Sequence, residues 1–211
     1  MDIEAIRRGA EHPILALSGD LDAVATDLAA AFSEDVMFDW FLRNDARRDT
    51  ARLRFFRLVL AIGGAARIER PPAGGAAAVW ISSEDVKDTP LITELRALPI
   101  LLFATGVRRF NRLSLIRRAM ETAHPMTRPH DYLSFLGVTP EAQGHGVGSR
   151  LLRTATARLD RVGRAAFLQT QTERNVGLYQ RHGFTVVSEI RVRTDSPRLW
   201  SLWRDPQSGE P

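Results

Sequence analysis

The sequence predicts an α/β protein, and three observations support this fold class. In the C-terminal half, segments typical of strands and helices alternate in the order strand, helix, strand, helix, strand. A glycine-rich loop joins the first of these strands to a helix with a clear apolar face. The chain has 211 residues, 44% of them hydrophobic, which is enough for one sizeable core. We expect a single domain over residues 1–206, with its functional core at about 130–190, and a short tail at 207–211.

The N-terminal half is expected to begin with a short strand and two helices. The apolar segment 13–18 predicts a strand, and Asp20 is the predicted N-cap of the helix that follows it. The aromatic segment 34–42 has no regular period, so an irregular connection is expected there. A second helix is predicted from about Asn44 to the glycine pair 63–64, where a left-handed C-cap forms easily.

Two strands and a long helical region follow. The segments AARIER (65–70) and AAAVWI (76–81) flank PPAGG, a pattern typical of two strands joined by a tight turn. Helix is predicted from about 89 to 123, with an interruption near Pro99 because proline disrupts a helix interior. The remaining predicted elements are the strand YLSFLGV, a helix from about Gly148, the strand AAFLQTQ, a short helix and the strand FTVVSEI.

The composition excludes several kinds of chemistry and location. The chain has no cysteine, which excludes disulfides, thiolate metal sites and a cysteine nucleophile, and no zinc-ligand spacing is visible. The longest apolar run, 98–107, is about half of the roughly 20 residues that a membrane-spanning helix needs. The N-terminus also lacks a secretory signal pattern. We therefore expect a cytoplasmic protein with no membrane partner.

The charge is basic and comes almost entirely from arginine. The net charge is +4, and Lys87 is the one lysine among 29 basic residues. A basic surface suits an anionic ligand, and both a phosphate cofactor and nucleic acid qualify. The arginines of segment 107–120 spread around the predicted helix instead of forming one stripe. Because no aromatic-basic signature or Walker-type lysine loop occurs, no nucleic-acid partner is predicted.

The loop QGHGVG, residues 143–148, lies between a predicted strand and a helix N-terminus. Several backbone N–H groups lack helical partners there, and with the positive end of the helix dipole they form a site for phosphate oxygens. Glycine lets a phosphate come close because no Cβ stands in the way. Taken alone, the loop also fits a tight strand-to-helix turn that binds nothing.

Two motifs at the expected separation resemble the GNAT superfamily of acyl-CoA N-acyltransferases. The run YLSFLGVTPEAQGHGVGSRLL (132–152) resembles its Q-x-x-G-x-G pyrophosphate loop with the flanking strand and helix. The run ERNVGLYQRHGF (173–184) resembles its next helix, with N-x-x-x-Y and a trailing R-x-G-F. AFSEDVMFDWFL and RLWSLWRDP further resemble the puromycin N-acetyltransferase-like branch. The resemblance implies an α/β (α+β) GNAT fold, with a mixed central sheet flanked by helices and splayed parallel strands that carry the acyl-CoA site.

The resemblance implies acetyl-CoA as a cosubstrate. Its pyrophosphate would bind the loop backbone, and its pantetheine arm would run beside the preceding strand. A backbone N–H near Val138 would then face the thioester carbonyl. Asn175 would hydrogen-bond the pantetheine arm, although a first-turn role in its helix fits it as well. The implied cofactor-binding residues are Leu136, Gly137, Val138, Gln143, Gly144, His145, Gly146, Val147, Gly148, Ser149 and Asn175. No metal is implied.

Tyr179 lies four residues after Asn175, on the same helix face. The resemblance makes it the catalytic general acid that protonates the leaving CoA thiolate. A phenol with a pKa of about 10 is protonated at neutral pH and can supply that proton. Outside the motif, Tyr179 would be a core residue. His182, near the end of the same helix, is expected to be solvated.

The acceptor side is less defined by the sequence. An alkylammonium must lose a proton before it attacks, so a carboxylate or a water relay should lie near the sulfur. Related enzymes commonly carry glutamate in the motif L-E-T, where this chain has Gln169, which cannot take up the proton. Glu173 and Asp131 are carboxylates nearby in sequence, and neither is assigned. The predicted substrate-binding residues are Phe38, Trp40, Trp80 and Gln169, with core packing left open for the three aromatic ones.

The sequence therefore predicts an acyl-CoA-dependent N-acetyltransferase that moves acetyl directly to the amine of a small molecule, such as an aminonucleoside or another xenobiotic. Two alternatives stay open, a protein or peptide N-acetyltransferase and a catalytically weak acyl-CoA-binding regulatory domain. The sequence also leaves open whether the protein forms a homodimer.

Overall fold

The computed structural model describes residues 2–63, 66–85, 91–125 and 128–207, without the side chains of residues 91, 92 and 94. The helices in these ranges are α1 (Ile3–Gly9), α2 (Leu21–Ala31), α3 (Val36–Phe41), α4 (Arg48–Ile62), α5 (Leu91–Thr105), α6 (Phe110–Ala123), α7 (Val147–Arg161) and α8 (Glu173–Gln180). The strands are β1 (Ile14–Leu15), β2 (Arg67–Arg70), β3 (Ala76–Ser82), β4 (His130–Val138), β5 (Ala165–Thr170), β6 (Thr185–Arg191) and β7 (Arg198–Arg204). Short 3-10 helices span Ser18–Asp20 and Pro140–Ala142.

The seven strands form one mixed sheet in the order β1-β2-β3-β4-β5-β7-β6. The pair β4–β5 is parallel, and the other neighbouring strands are antiparallel. A parallel pair needs a long crossover, which α7 supplies between β4 and β5. The sheet thus has the predicted mixed α/β architecture, with helices against it. None of the described helices is long and apolar enough to cross a membrane.

The two parallel strands separate before they end. Pairing of β4 with β5 stops at Leu133 and Leu168, although β4 continues to Val138. A bulge lies at the same point, because Val79 faces Phe135 while Trp80 faces Leu133, which leaves Ser134 without an opposite residue. A bulge bends its strand and increases the local twist. The C-terminal half of β4 therefore has a neighbour on its β3 edge and an open edge where β5 has turned away.

Each face of the sheet has its own core. Phe32, directly after α2, and phenylalanine rings of α3 and α4 pack around Phe56, whose ring centroid is 5.2 Å from that of Phe135 on β4. On the other face, α7 buries an apolar stripe against the sheet, formed by Leu151, Leu152, Ala155 and Leu159. The apolar spacing of α7 predicted this stripe correctly.

Gly137 allows α2 to pack closely on β4. A Cβ at Gly137 would lie 2.7 Å from Leu28 Cδ2 and 3.0 Å from Ala31 Cβ. We expect Gly137→Ala to lower the free energy of unfolding by about 1–3 kcal/mol, because the extra methyl overpacks the α2–β4 contact. Urea denaturation measures the change. Gly19→Ala is the matched control, since a Cβ at Gly19 has nothing within 4 Å. Equal stability of the two variants would contradict the packing argument.

The first helices agree with the prediction only in part. Asp20 is the N-cap residue of α2, as predicted, but its side chain makes no capping bond, because its Oδ2 accepts the Leu17 N–H and its Oδ1 accepts from Arg70. The segment 34–42 is not irregular, since its centre forms the short helix α3. Asp35 caps that helix by accepting the N–H groups of Met37 and Phe38. Side-chain caps satisfy the free donors of a first turn and so stabilise helices too short to show a period.

The helix breaks also differ from the prediction. Helix α5 passes through Pro99 and ends before Gly106, whose φ of 67° forms a left-handed turn. Gly63 is the C-cap of α4 with a φ of −72°, so Gly63 itself is not left-handed. Residues 64–65 and 89–90 of the predicted elements lie outside the described residues. Helix α1 and strand β7 were not predicted as elements, and the predicted strand 13–18 is reduced to Ile14–Leu15.

Candidate active site

A cavity of about 690 Å³ opens where β4 and β5 separate. Its walls come from α3, α4 and α6 on one side of the gap, from the separating ends of β4 and β5, and from α8. The side toward α3 and α4 is apolar, with rings such as Phe38, Phe41 and Phe55. A concave, mostly apolar cavity with a few convergent polar groups is the usual form of a small-molecule site.

The open edge of β4 presents backbone groups to this gap. Val138 faces Ala76 on β3, and the N–H of the next residue, Thr139, donates to Gly75 O at 2.9 Å. Val138 and Ala76 are therefore a non-hydrogen-bonded pair of the antiparallel ladder, and the Val138 N–H and C=O point away from β3. By the alternation along a strand, Leu136 does the same. Gln143 Nε2 donates to the Val138 carbonyl at 3.0 Å, which leaves the Val138 N–H for another acceptor.

The glycine loop has the geometry of an anion site. Gly144 and Gly146 have φ values of 80° and 75°, and Gly146 is the N-cap of α7. Within the described part of the chain, no protein group accepts the backbone N–H groups of residues 144–149. His145 is exposed in this loop, whereas Val147 is buried. Unpaired N–H groups at a helix N-terminus form a binding surface for phosphate oxygens.

Arg150, which the sequence analysis did not identify, and the predicted cofactor-binding residue Ser149 both fix this loop. Arg150 donates to Glu11 on the N-terminal segment at 2.6 Å and to the His145 carbonyl at 3.4 Å. Ser149 Oγ lies 2.7 Å from His182 Nε2, which links the first turn of α7 to the end of α8. His182 is half-buried, so the prediction of a solvated residue was wrong. Burial, together with nearby arginines, lowers the pKa of His182.

Tyr179 and Asn175 both line the cavity from α8. Tyr179 is only 7% exposed, and within the described residues its hydroxyl has no hydrogen-bond partner, although the oxygen is not sealed by protein. A buried tyrosine hydroxyl normally has a partner, so this one is free to bind a ligand. Burial raises the Tyr179 pKa above its usual value, which keeps the phenol protonated.

Asp35 is the acidic side chain that the sequence analysis missed. It lines the cavity at the N-terminus of α3, where its Oδ1 accepts two backbone N–H groups at 2.9 and 3.0 Å. Its Oδ2 accepts from Gln171 Nε2, just beyond the end of β5. Burial raises the pKa of Asp35, and the three hydrogen bonds only partly offset this effect. The cap position of Asp35, directly before an apolar helix, was the available sequence signal.

The predicted acceptor residues separate into two groups. Phe38 and Gln169 line the cavity. Trp80 is 1% exposed in the core on the α7 face, and Trp40 is 7% exposed beneath Arg112, whose guanidinium lies 4.9 Å from its ring centroid. Neither tryptophan contributes to the cavity wall, so for them the core interpretation holds. Gln169 Nε2 donates to Ser201 Oγ at 3.3 Å and thus ties the wall to β7.

The two carboxylates considered as a base lie elsewhere. Asp131 forms ion pairs with Arg164 and, at 3.4 Å, with Arg158, near the N-terminal ends of β4 and β5. Glu173 is exposed at the start of α8. Neither lines the cavity. Asp35 and Glu121 are the two carboxylates in its described lining, and Glu121 is paired with Arg117 at 2.7 Å.

Comparison with known proteins agrees with this geometry. Residues 115–186 match a family model described as an acetyltransferase (GNAT) domain. A Corynebacterium glutamicum structure, described as histone acetyltransferase HPA2 and related acetyltransferase, superposes with a TM-score of 0.68 at 24% identity, over 92% of this chain and 96% of that one. A mosquito structure described as arylalkylamine N-acetyltransferase like 5b (12% identity, 92% of this chain and 98% of that one covered) and the Drosophila melanogaster polyamine N-acetyltransferase (16%, 92% and 99%) each superpose with a TM-score of 0.56.

At these identities the structural similarities establish the fold. The chain has the GNAT fold, as predicted, and the matched segment agrees with the predicted class of acyl-CoA-dependent N-acetyltransferase. The narrower resemblance to the puromycin N-acetyltransferase-like branch stays a prediction.

Proposed function

From the GNAT domain match and the GNAT fold, we propose that the chain is a single-domain acetyl-CoA-dependent N-acetyltransferase that acts on a small-molecule amine. One observation carries the proposal. A single cavity brings together Leu136 on the open edge of β4, the Tyr179 hydroxyl, which has no partner among the described residues, and the carboxylate of Asp35. These are the groups that direct transfer of an acyl group to an amine requires, an oxyanion donor, an acid and a base.

The residues around the gap fit an acyl-CoA. The free N–H groups of residues 144–149 suit the pyrophosphate, and the open edge of β4 offers backbone partners to the pantetheine amides. Among the described residues, no hydrogen bond occupies the side-chain amide of Asn175, which lines the same cavity. When bound, acetyl-CoA supplies the activated acetyl thioester. The Val138 N–H would stabilise the negative charge that develops on the thioester oxygen.

The glycine loop provides a test of cofactor binding. We expect Gly144→Ala to weaken acetyl-CoA binding about tenfold, because its Cβ would occupy open space where the phosphate approaches, and because losing one charge-assisted hydrogen bond costs about 1.5–3 kcal/mol. Gly163→Ala is the matched control, since Gly163 also has a positive φ (63°) and an open environment, but ends α7 far from the loop. Calorimetry on both folded variants measures the affinities. Equal affinities would show that phosphate does not approach Gly144.

The acid and base act on opposite partners of the reaction. Asp35 accepts the proton of the incoming ammonium, directly or through one water, so that a neutral amine attacks. Tyr179 donates to the sulfur as the C–S bond breaks. Burial raises the Tyr179 pKa, so the phenol gives up its proton less readily. The leaving thiolate is desolvated in the same cavity, which makes it a stronger base and allows it to take this proton. Enclosure of the cavity thus serves both steps.

The acceptor is proposed to be small. The cavity volume of about 690 Å³ lies within the usual range for small-molecule sites, and its apolar rings offer contacts to a hydrocarbon or aromatic body. Neighbours of the same fold are described as arylalkylamine and polyamine N-acetyltransferases. An arylalkylamine, with one apolar body and one amine, fits Phe38, Phe41 and Asp35 in the wall.

The proposal is tested by release of free CoA thiol from acetyl-CoA. The panel contains phenethylamine, tryptamine, hexylamine, agmatine and a peptide with a free N-terminus. Turnover with arylalkylamines or alkylamines supports the proposal. Turnover with the peptide alone would favour the peptide alternative, and tight acetyl-CoA binding without turnover of any amine would favour a binding domain.

A further inference from the structure

Two histidines form a pair in the wall of the cavity, away from Asp35. His124, at the end of α6, lines the cavity, and its Nε2 lies 3.0 Å from Nε2 of His130 on β4. His130 is fully buried. The His124 ring is held edge-on to Tyr132 and Phe167, with centroid distances of 5.1 and 4.9 Å. These ring contacts fix the orientation of the imidazole.

The hydrogen bonds define which nitrogen of each ring carries a proton. His130 Nδ1 lies 2.7 Å from the Arg128 carbonyl, which can only accept, so Nδ1 of His130 is the protonated nitrogen. In the neutral ring, His130 Nε2 is then an acceptor, and His124 Nε2 must donate to it. His124 Nδ1 is therefore left with a lone pair. Burial, with the neighbouring His130, lowers the pKa of His124 to about 4, so the ring is neutral at physiological pH.

Among the described residues, no donor reaches the lone pair of His124. Within the described residues, Nδ1 makes no hydrogen bond, and it is not among the polar atoms that protein encloses completely. Such an acceptor in a cavity wall is free to accept from a ligand. Asp35 bonds to Gln171, whereas His124 packs on Phe167, and these two partners are four residues apart, roughly 13 Å along an extended strand at about 3.3 Å per residue. Asp35 and His124 therefore lie toward opposite ends of the cavity wall.

We infer that His124 is a specificity-determining residue, whose Nδ1 accepts a hydrogen bond from a neutral donor at the far end of the acceptor substrate. The inference rests on the proposed function. The substrate would then be an amine with an apolar body and a hydroxyl or phenol opposite its amino group. Its amine lies toward Asp35 and Tyr179, its body against the phenylalanine rings, and its hydroxyl against His124.

Two pairs of amines that differ by one hydroxyl test this inference. The ratio of kcat/KM is measured for tyramine over phenethylamine and for 6-amino-1-hexanol over hexylamine. We expect the hydroxylated member to be favoured by about three- to tenfold, the effect of one neutral hydrogen bond. His124→Phe, which keeps a ring but removes the acceptor, should bring at least one favoured ratio to about one. His124→Gln, which restores an acceptor oxygen, should retain part of the preference.

The neighbouring hydroxyl of Tyr132 supplies the control. Tyr132→Phe should leave the preference in place, because the inferred acceptor is His124. Ratios near one for both pairs in the wild type would overturn the inference, and so would loss of the preference in Tyr132→Phe but not in His124→Phe. A higher kcat/KM for agmatine than for both hydroxylated amines would also overturn the inference, because it would indicate a second cation at the far end of the substrate. If no amine releases CoA thiol, the proposed function itself fails, which is a distinct result.

Discussion

Replacing Asp35 with asparagine is expected to lower kcat/KM about 10²- to 10³-fold near neutral pH, within the range for loss of a general base. Asparagine keeps the helix cap, because its Oδ1 can still accept the N–H groups of Met37 and Phe38. It cannot take a proton from an ammonium. Thiol release at saturating acetyl-CoA measures the loss, and the melting temperature checks that α3 remains folded.

The pH profile distinguishes a base from a residue that only positions the amine. Burial raises the pKa of Asp35, so the wild-type kcat/KM should fall on acidification at a higher pH than an ordinary carboxylate would give. Asp35→Asn should lack this acidic limb and should recover activity as the pH approaches the pKa of the amine. The recovery is expected because free amine then no longer needs the base.

Asp39 provides the matched control for this experiment. It lies on the same helix, but it is exposed, paired with Arg48 and absent from the cavity wall. Asp39→Asn should therefore keep the wild-type rate and pH profile. If Asp35→Asn retained the wild-type acidic limb, Asp35 would not be the base, and a water relay from another group would have to serve.

The parts of the site that the sequence predicted are those encoded in one local segment. The loop 143–148, the strand before it and the helix after it are continuous in the chain, so spacing alone placed the glycines at the N-terminus of α7. Asn175 and Tyr179 are likewise one helical turn apart on α8, and both reach the cavity. Local periodicity and caps determine such arrangements.

The parts that the sequence did not predict depend on contacts between distant segments. Asp35 meets Gln171 across 136 residues, and no local pattern specifies that approach. His124 and His130 are close in sequence, but their pairing depends on where the end of α6 lies relative to the start of β4. Trp80 looked like a candidate for the cleft because it is aromatic. The strand period alone does not say which face of β3 borders the cavity, and Trp80 faces the α7 core.

The resemblance to GNAT proteins predicted the split of the sheet, but the residue at which the strands separate was not predicted, because a bulge at Ser134 lies there. Nothing in YLSFLGV indicates an extra residue, and the strand pattern would pair β4 with β5 along its whole length. The structure instead ends the pairing at Leu133. That change of register frees the N–H groups of Leu136 and Val138 on one edge. The position of the bulge thus determines where an acyl thioester can be held relative to Tyr179.

Tyr179→Phe is expected to lower kcat about 10²-fold, the usual magnitude for loss of a general acid. Acetyl-CoA affinity should change little, because the charge that the hydroxyl neutralises develops only as the C–S bond breaks. The ring and its contact with Phe184, at a centroid distance of 6.0 Å, remain in the variant. Since the Tyr179 hydroxyl has no partner among the described residues, its removal should not lower the melting temperature.

Tyr132 makes this test unusually well controlled, because it is the other of the two tyrosines in the chain and also lines the cavity. Tyr132 faces Phe167, where β4 and β5 are still paired, so a pantetheine arm in the open gap does not extend to it. Tyr132→Phe should therefore retain most of the turnover of an amine that carries no hydroxyl. An equal loss in both variants would indicate a general effect of cavity polarity. A loss of turnover confined to Tyr132→Phe would identify Tyr132, at the paired end of the strands, as the acid. If Tyr179→Phe lost both activity and melting temperature, Tyr179 would instead be a core residue that stabilises the fold.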